Sequence, residues 1–355
     1  MVHHHLAQQL GGKHIDGAPV DDLLPHQVAN ALLHGDGAAV GRPGRSFQVS
    51  SMAAIVHWCW FLRLEQMRHS FPMEDIGARL WIPPLGLAGC VRAAMLRDTR
   101  GRELNAAQRE TYFPAAPLVK LCWWFAGDGE WLARPGFSMP PPGSCLQPLM
   151  LSGPFTLPTH TRNAGPVHAL MLLFPPDAFQ ALTGIDVAAH VNRVVPADTL
   201  LAPDWFAWAM SLHADIDDDT RLARIEAFLL PRWAALSPQR PAAQRYAEWS
   251  QALAVRAATS ASGRSLRQIE RRVKAWAGVP MRDLRAVSRA ERAFMAVAQR
   301  DVGSTVNWAE IAADTDYADQ SHLCRETRRL SGFSPEELRR RSETEEAFWP
   351  YRLWR

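Results

Sequence analysis

The stretch "DYADQSHLCRETRRLSGFSP", residues 316–335, decides how the chain is read. Placed on a helix, Leu323, Thr327 and Leu330 recur at i, i+4 and i+7, which is one inward face. Ser321, His322, Arg325 and Arg329 fall on the other side. Asp319 stands as the N-cap and Gly332 as the stop. The outward set is either an ordinary solvated face or a surface that meets a ligand. The flanking sequence separates the two.

Upstream, "NWAEIAADT" carries Asn307 as N-cap and Glu310 at N3, with Trp308, Ile311 and Ala312 facing inward, and "DYAD" is the turn. Downstream, "SPEELRRR" starts a helix with Ser334 as N-cap, Pro335 at N1 and Glu337 at N3. The same layout occurs earlier. After the Pro-rich break "SPQRPAAQ" (237–244) the chain reads as almost pure helix: "YAEWSQALAVRAA", the turn "TSASG", then "RSLRQIERRVKAWAG". Ser265 and Gln268 form a capping box there, and Gly278 ends the helix. Leu266, Ile269, Val273 and Trp276 face in, while Arg267, Glu270, Arg271 and Lys274 face out. A helix, a short turn and a second helix with a basic outer face is the layout of a helix-turn-helix.

Between the two units, "MRDLRAVSRAERAFMAVAQR" reads as a connecting helix. At about 1.5 Å per residue it spans roughly 30 Å, close to the roughly 34 Å pitch of B-DNA. One basic helix is usually a solvated surface. Two capped ones, held a DNA pitch apart, point to double-stranded DNA. The charge distribution agrees. Net charge is only +3, but residues 241–355 hold 20 Lys+Arg against 15 Asp+Glu, and residues 1–240 hold 19 against 21. The excess is nearly all arginine, whose planar fork suits phosphate and guanine.

The 355-residue length suits two domains. From about 76 to 200, "ARLWIPP", "GCVRAAML", "LVKLCWWFAG" and "VHALMLLFPP" read as strands bounded by breakers, and "MPPPG" (139–143) as a loop. "PPDAFQALTG" and "DDDTRLARIEAFLLPRW" read as helices, the second buried through Leu222, Ile225 and Leu229. The five cysteines are scattered without a C-x-x-C pair, so neither zinc nor a redox motif is expected. Their odd number fits a reducing compartment, the cytoplasm. His160, His168 and His190, weighed as a metal set, read better as ordinary loop or core histidines, and Trp123 and Trp124 as core. The run 52–64 is too short to span a bilayer and reads as an amphipathic core helix; "HHH" at 3–5 reads as a frayed terminus. No cofactor, metal or membrane is expected, and no catalytic constellation emerges.

These residues resemble the DNA-binding domain of the AraC/XylS family of bacterial transcription regulators. The signature here is Ile311-Ala312, Asp319-Gln320-Ser321-His322-Leu323, Arg325, Arg328, Gly332 and Ser334-Pro335, and the resemblance covers about 245–342. Asp316 replaces the Gly that usually precedes the turn's Tyr317, and Thr327 stands where the family usually has Phe. "RLWIPPLGLAGCVRAAMLRDTRG" and "YFPAAPLVKLCWWFAGD" are more loosely similar to N-terminal domains of one subset of the family, which implies a sensory or dimerising role.

The expectation is an α+β chain: a partly disordered extension (1–75), a strand-rich regulatory domain (76–236), an all-α double helix-turn-helix (241–342) and a C-terminal tail (343–355). It is expected to be a sequence-specific transcription regulator and not an enzyme. Arg267, Gln268, Arg271, Ser321, His322 and Arg325 are expected to reach base edges, and Arg272, Lys274, Arg328 and Arg329 phosphates. The further candidate partners are RNA polymerase, a small-molecule effector and a second copy of the chain. Two alternatives remain open. One is a repair enzyme accepting alkyl groups on Cys122 or Cys145; the other is a non-specific nucleoid binder.

Overall fold

The computed structural model describes residues 77–132, 136, 138, 147–236, 245–260, 265–300 and 304–353, with the backbone of 14–15 and 18–19. The helix expected at 52–64, the histidines at 3–5, the loop at 139–143, Cys59 and Cys145 lie outside the described residues.

The strands in chain order are β1 (His14–Ile15), β2 (Ala18–Pro19), β3 (Ala78–Trp81), β4 (Ala93–Asp98), β5 (Glu110–Phe113), β6 (Val119–Ala126), β7 (Gly129–Trp131), β8 (Leu149–Ser152), β9 (Thr159–Asn163), β10 (His168–Phe174) and β11 (Val194–Pro196). Six of them form an antiparallel sheet in the order β11-β8-β6-β10-β4-β3. Three more form a smaller sheet, β5-β9-β7. Within the large sheet Leu170 lies between Leu96 and Trp123.

One face of that sheet buries Leu96, Leu121, Trp123, Leu151 and Leu172 against helices α1 (Pro176–Thr183), α2 (Pro203–Ser211) and α3 (Asp218–Leu236). Leu222, Ile225 and Leu229 are the buried stripe of α3, as the spacing predicts. Trp123 donates its indole N–H to the Ala209 carbonyl at 2.8 Å, so this buried ring has no orphan donor. The opposite face carries Met95 and Leu173, and it too is covered. Burial on both faces is why β4, β6 and β8 read as continuous apolar runs rather than as an alternation.

The cover on the second face is the helical half: α4 (Tyr246–Thr259), α5 (Leu266–Ala277), α6 (Met281–Ala298), α7 (Trp308–Asp314), α8 (Gln320–Ser331), α9 (Pro335–Thr344) and α10 (Trp349–Arg352). The strand-rich half followed by a helical half is the α+β class expected. One expectation needs correction. Residues 343–353 are not a tail. Phe348 is wholly buried, and Trp349, Tyr351 and Leu353 are buried with it. Trp349 and Leu353 join Met95 and Leu173, and the Trp349 indole donates to Thr111 Oγ1 at 3.2 Å. The apolar content of "AFWPYRL" (347–353) makes it a cover for the sheet. The segment is too short, and too broken by Pro350, to show a helical period.

Polar contacts tie the halves together. Asp177 of α1 accepts from the Trp249 indole and from Arg256, each at 2.8 Å. Arg92 pairs with Glu291 of α6, and Arg97 pairs with Glu346 at 2.7 Å. The Ala115 amide donates to the Leu330 carbonyl near the end of α8 at 2.7 Å.

Candidate nucleic-acid interface

The first unit is built from its caps. Ser265 Oγ accepts from the Gln268 amide at 3.4 Å, and Gln268 Oε1 accepts in return from the Ser265 amide at 3.2 Å. Two donors of the helix start are thereby satisfied by the pair predicted from sequence. Ile269, Val273 and Ala277 are buried, and Gly278 ends α5 at φ 74°, a left-handed conformation suited to glycine. Leu266 and Trp276 were expected inside but are only half-buried; Arg256 lies over the Trp276 ring, 4.2 Å from its centre. The outer face exposes Arg267, Glu270, Arg271 and Lys274, while Gln268 and Arg272 are half-buried.

In the second unit Asn307 Oδ1 accepts from the Ala309 and Glu310 amides, and Asp319 Oδ1 accepts from the His322 amide at 2.6 Å. Asp316 takes φ 63°, the strained turn that the missing glycine implies, and Arg292 donates to its carboxylate. Leu323 packs with Ile311, Ala312, Tyr317 and Ala293. Leu330 is buried against Ala115, Ala286 and Val287. Thr327 is half-buried. The outward set stays at the surface: Ser321, Arg325, Arg328 and Arg329 are exposed. His322 is half-buried; its Nδ1 accepts from the Ala318 amide at 3.4 Å and its ring stands edge-on to Tyr317. Arg329 lies 3.6 Å from Asp283 of α6.

The inner support includes residues that sequence reading did not single out. Glu326 is held by Arg289 at 2.7 Å, which joins α8 to α6. An acidic residue inside an otherwise basic helix was the available signal for this contact. Behind α8, Thr327 and Leu330 also line a cavity of about 200 Å³, and Lys120 of β6 lines its sheet side. Nothing in the sequence marks that space.

Among the described residues the histidines weighed from sequence do not form a metal-binding group. His160 pairs with Glu110 at 3.1 Å and His168 with Asp218 at 2.9 Å. No group of three metal-binding side chains occurs among the described residues. Burial pushes the Cys122 thiol up to about 12, whereas alkyl acceptance needs a thiolate. Among the described residues no helix is long and apolar enough to cross a membrane.

Residues 258–341 match the family model described as "Helix-turn-helix domain". No curated protein matches the sequence. Among solved structures the chain is similar to an apo ToxT variant from Vibrio cholerae strain SCE256, at 10% identity and TM-score 0.35, over 69% of this chain and 96% of that one. It is also similar to ToxT from Vibrio cholerae, at 10% identity and TM-score 0.31, over 65% of this chain and 94% of that one. Two capped helix-turn-helix units carrying the Asp319–Pro335 signature, together with the family match over 258–341, make the C-terminal part of this chain a helix-turn-helix domain of the kind found in AraC/XylS transcription regulators.

Proposed function

We propose that the chain is a sequence-specific regulator that sets α5 and α8 into successive major grooves of one DNA face, under control of a small molecule. Residues 241–342 are the reading domain and 76–236 the regulatory domain, and RNA polymerase is the onward partner. The observation that carries this is the pairing of two capped helices, each buried on its apolar face and exposing an arginine-rich one. A merely solvated face would not need to occur twice with the same caps.

Arg267 and Arg271 on α5, and Ser321 and Arg325 on α8, are the leading base readers. Gln268 and His322 have backbone and cap duties as well, which leaves Gln268 its amide nitrogen for a base. Arg272, Lys274, Arg328 and Arg329 meet phosphates, which position without specifying.

The test begins with DNA duplexes enriched from a random library by the full chain. Arg325→Ala is expected to lose about 1–3 kcal/mol at one base pair and to relax the preference there. Arg329→Ala is expected to weaken all sequences alike and to lower the salt slope by about one. If both variants bind enriched and scrambled duplexes as the parent does, the outer face of α8 is only a solvated surface. Equal affinity of the parent for both duplexes would instead favour a non-specific binder.

A further inference from the structure

We propose that Arg289 of α6 is a positioning residue for DNA binding, one that sequesters Glu326, the single acid of α8, away from the phosphates. The helix reads "QSHLCRETRRLS", so Glu326 stands beside Arg325 and ahead of Arg328 and Arg329. Its Oε1 accepts from Arg289 Nε at 3.2 Å and from Nη2 at 3.0 Å, and its Oε2 accepts from Nη2 at 2.7 Å. The Arg289 and Glu326 side chains are 20% and 10% exposed, so salt screens the pair poorly.

What the pair prevents follows from helix spacing. His322 lies four residues before Glu326 and Arg329 three after, so both neighbour it on the helix surface. His322 Nε2 is already 4.0 Å from Glu326 Oε2. Without Arg289 the carboxylate would draw on these neighbours, and Arg329 is one of the residues proposed to meet phosphate. The carboxylate would also stand unneutralised beside a polyanion, where like charges repel strongly. With Arg289 in place the acid is satisfied from α6, and Arg325, Arg328 and Arg329 stay exposed.

The choice of residue agrees. A guanidinium presents its N–H groups in a planar fork that matches a carboxylate, which a lysine ammonium does not. The Arg289 guanidinium also lies 5.4 Å from the centre of the Tyr317 ring, which fixes it over the core of the second unit. Arg292, three residues on along α6, donates to the Asp316 carboxylate in the turn. Two acids of the second unit, Asp316 and Glu326, are thus both met by one face of α6, beside the surface that α8 offers.

This role rests on the proposed reading of α8 as a DNA-facing helix, and it adds a residue that lies outside both recognition helices. It also fixes a sign. A tie that only braces the fold weakens binding whichever partner is removed. A sequestering contact weakens binding when the arginine is removed and not when the acid is.

Binding of the full chain to an enriched and a scrambled duplex, measured at several salt concentrations, tests this. Arg289→Met is expected to weaken binding to the enriched duplex about tenfold or more and to lower the salt slope by about one. Glu326→Gln, whose amide oxygen can still accept from Arg289, is expected to bind at least as tightly as the parent. Adding Glu326→Gln to Arg289→Met is expected to restore affinity to within about threefold of the parent, although neither of these two variants has the ion pair. The proposal is overturned if Arg289→Met binds as the parent does, if the double variant binds no better than Arg289→Met, or if Glu326→Gln alone weakens binding. The Glu326→Gln arm decides the matter even if Arg289→Met fails to fold. Should the parent bind neither duplex, the DNA reading falls with it. Loss of rescue in a parent that still binds removes the sequestering role alone.

Discussion

Lys120 carries a penalty that varies with pH. Burial holds its amine at about 7, below the ordinary lysine value of 10.5. The unfolded chain therefore binds the extra proton between those values, and stability rises with pH across that window. Below about pH 7 the penalty is complete. Lys120→Met is accordingly expected to be more stable than the parent at pH 6 in thermal melts, with the gap closing towards pH 10. Leu323, 1% exposed, behaves oppositely: Leu323→Ala is expected to lose about 2–5 kcal/mol in urea unfolding at any of these pH values. Gln268→Ala removes one arm of a capping box and is expected to cost about 0.5–2 kcal/mol, with a smaller change in base preference than Arg271→Ala. The outward residues of α5 and α8 were legible because helix faces follow from spacing alone. Lys120 was not. In "LVKLCWWFAG" it reads as the one polar interruption of a strand, and alternation alone would send it to solvent; a helix more than a hundred residues later covers it.

Among the elements, helices with side-chain caps were the readable ones. Ser265, Asn307, Asp319 and Ser334 each accept at the helix start where the sequence places them. The apolar strands β4, β6 and β10 were also legible, whereas β5 and β9, "ETYF" and "THTRN", were missed. They are short and polar, and their position comes from pairing with each other rather than from an apolar face. The stop of α5 has a tertiary role as well as a local one. A Cβ on Gly278 would lie 3.0 Å from Val191 Cγ2, in a left-handed backbone. Gly278→Ala is expected to cost about 1–3 kcal/mol, seen as a lower thermal midpoint.

For the whole molecule, the division into strand-rich and helical halves was visible as a change of period and charge, but their mutual burial was not. The contacts that make it join distant positions, such as Thr111 with Trp349 and Arg92 with Glu291. The Arg92 and Glu291 side chains are only 8% and 11% exposed. Arg92→Ala leaves the buried Glu291 carboxylate with the Tyr246 amide but without its guanidinium partner, and is expected to cost about 3–5 kcal/mol in denaturant unfolding, with the two halves still melting in one transition. The cover formed by Trp349 and Leu353 has a further consequence for biosynthesis. The ribosome completes the large sheet well before it makes the segment that shields the sheet's second face. Throughout that interval Met95 and Leu173 stay wet on a nascent chain, a sticky surface that invites chaperone holding or aggregation. Trp349→Ala, which weakens the late-arriving shield, is therefore expected to lower soluble yield at high expression rates more than its loss of equilibrium stability alone would.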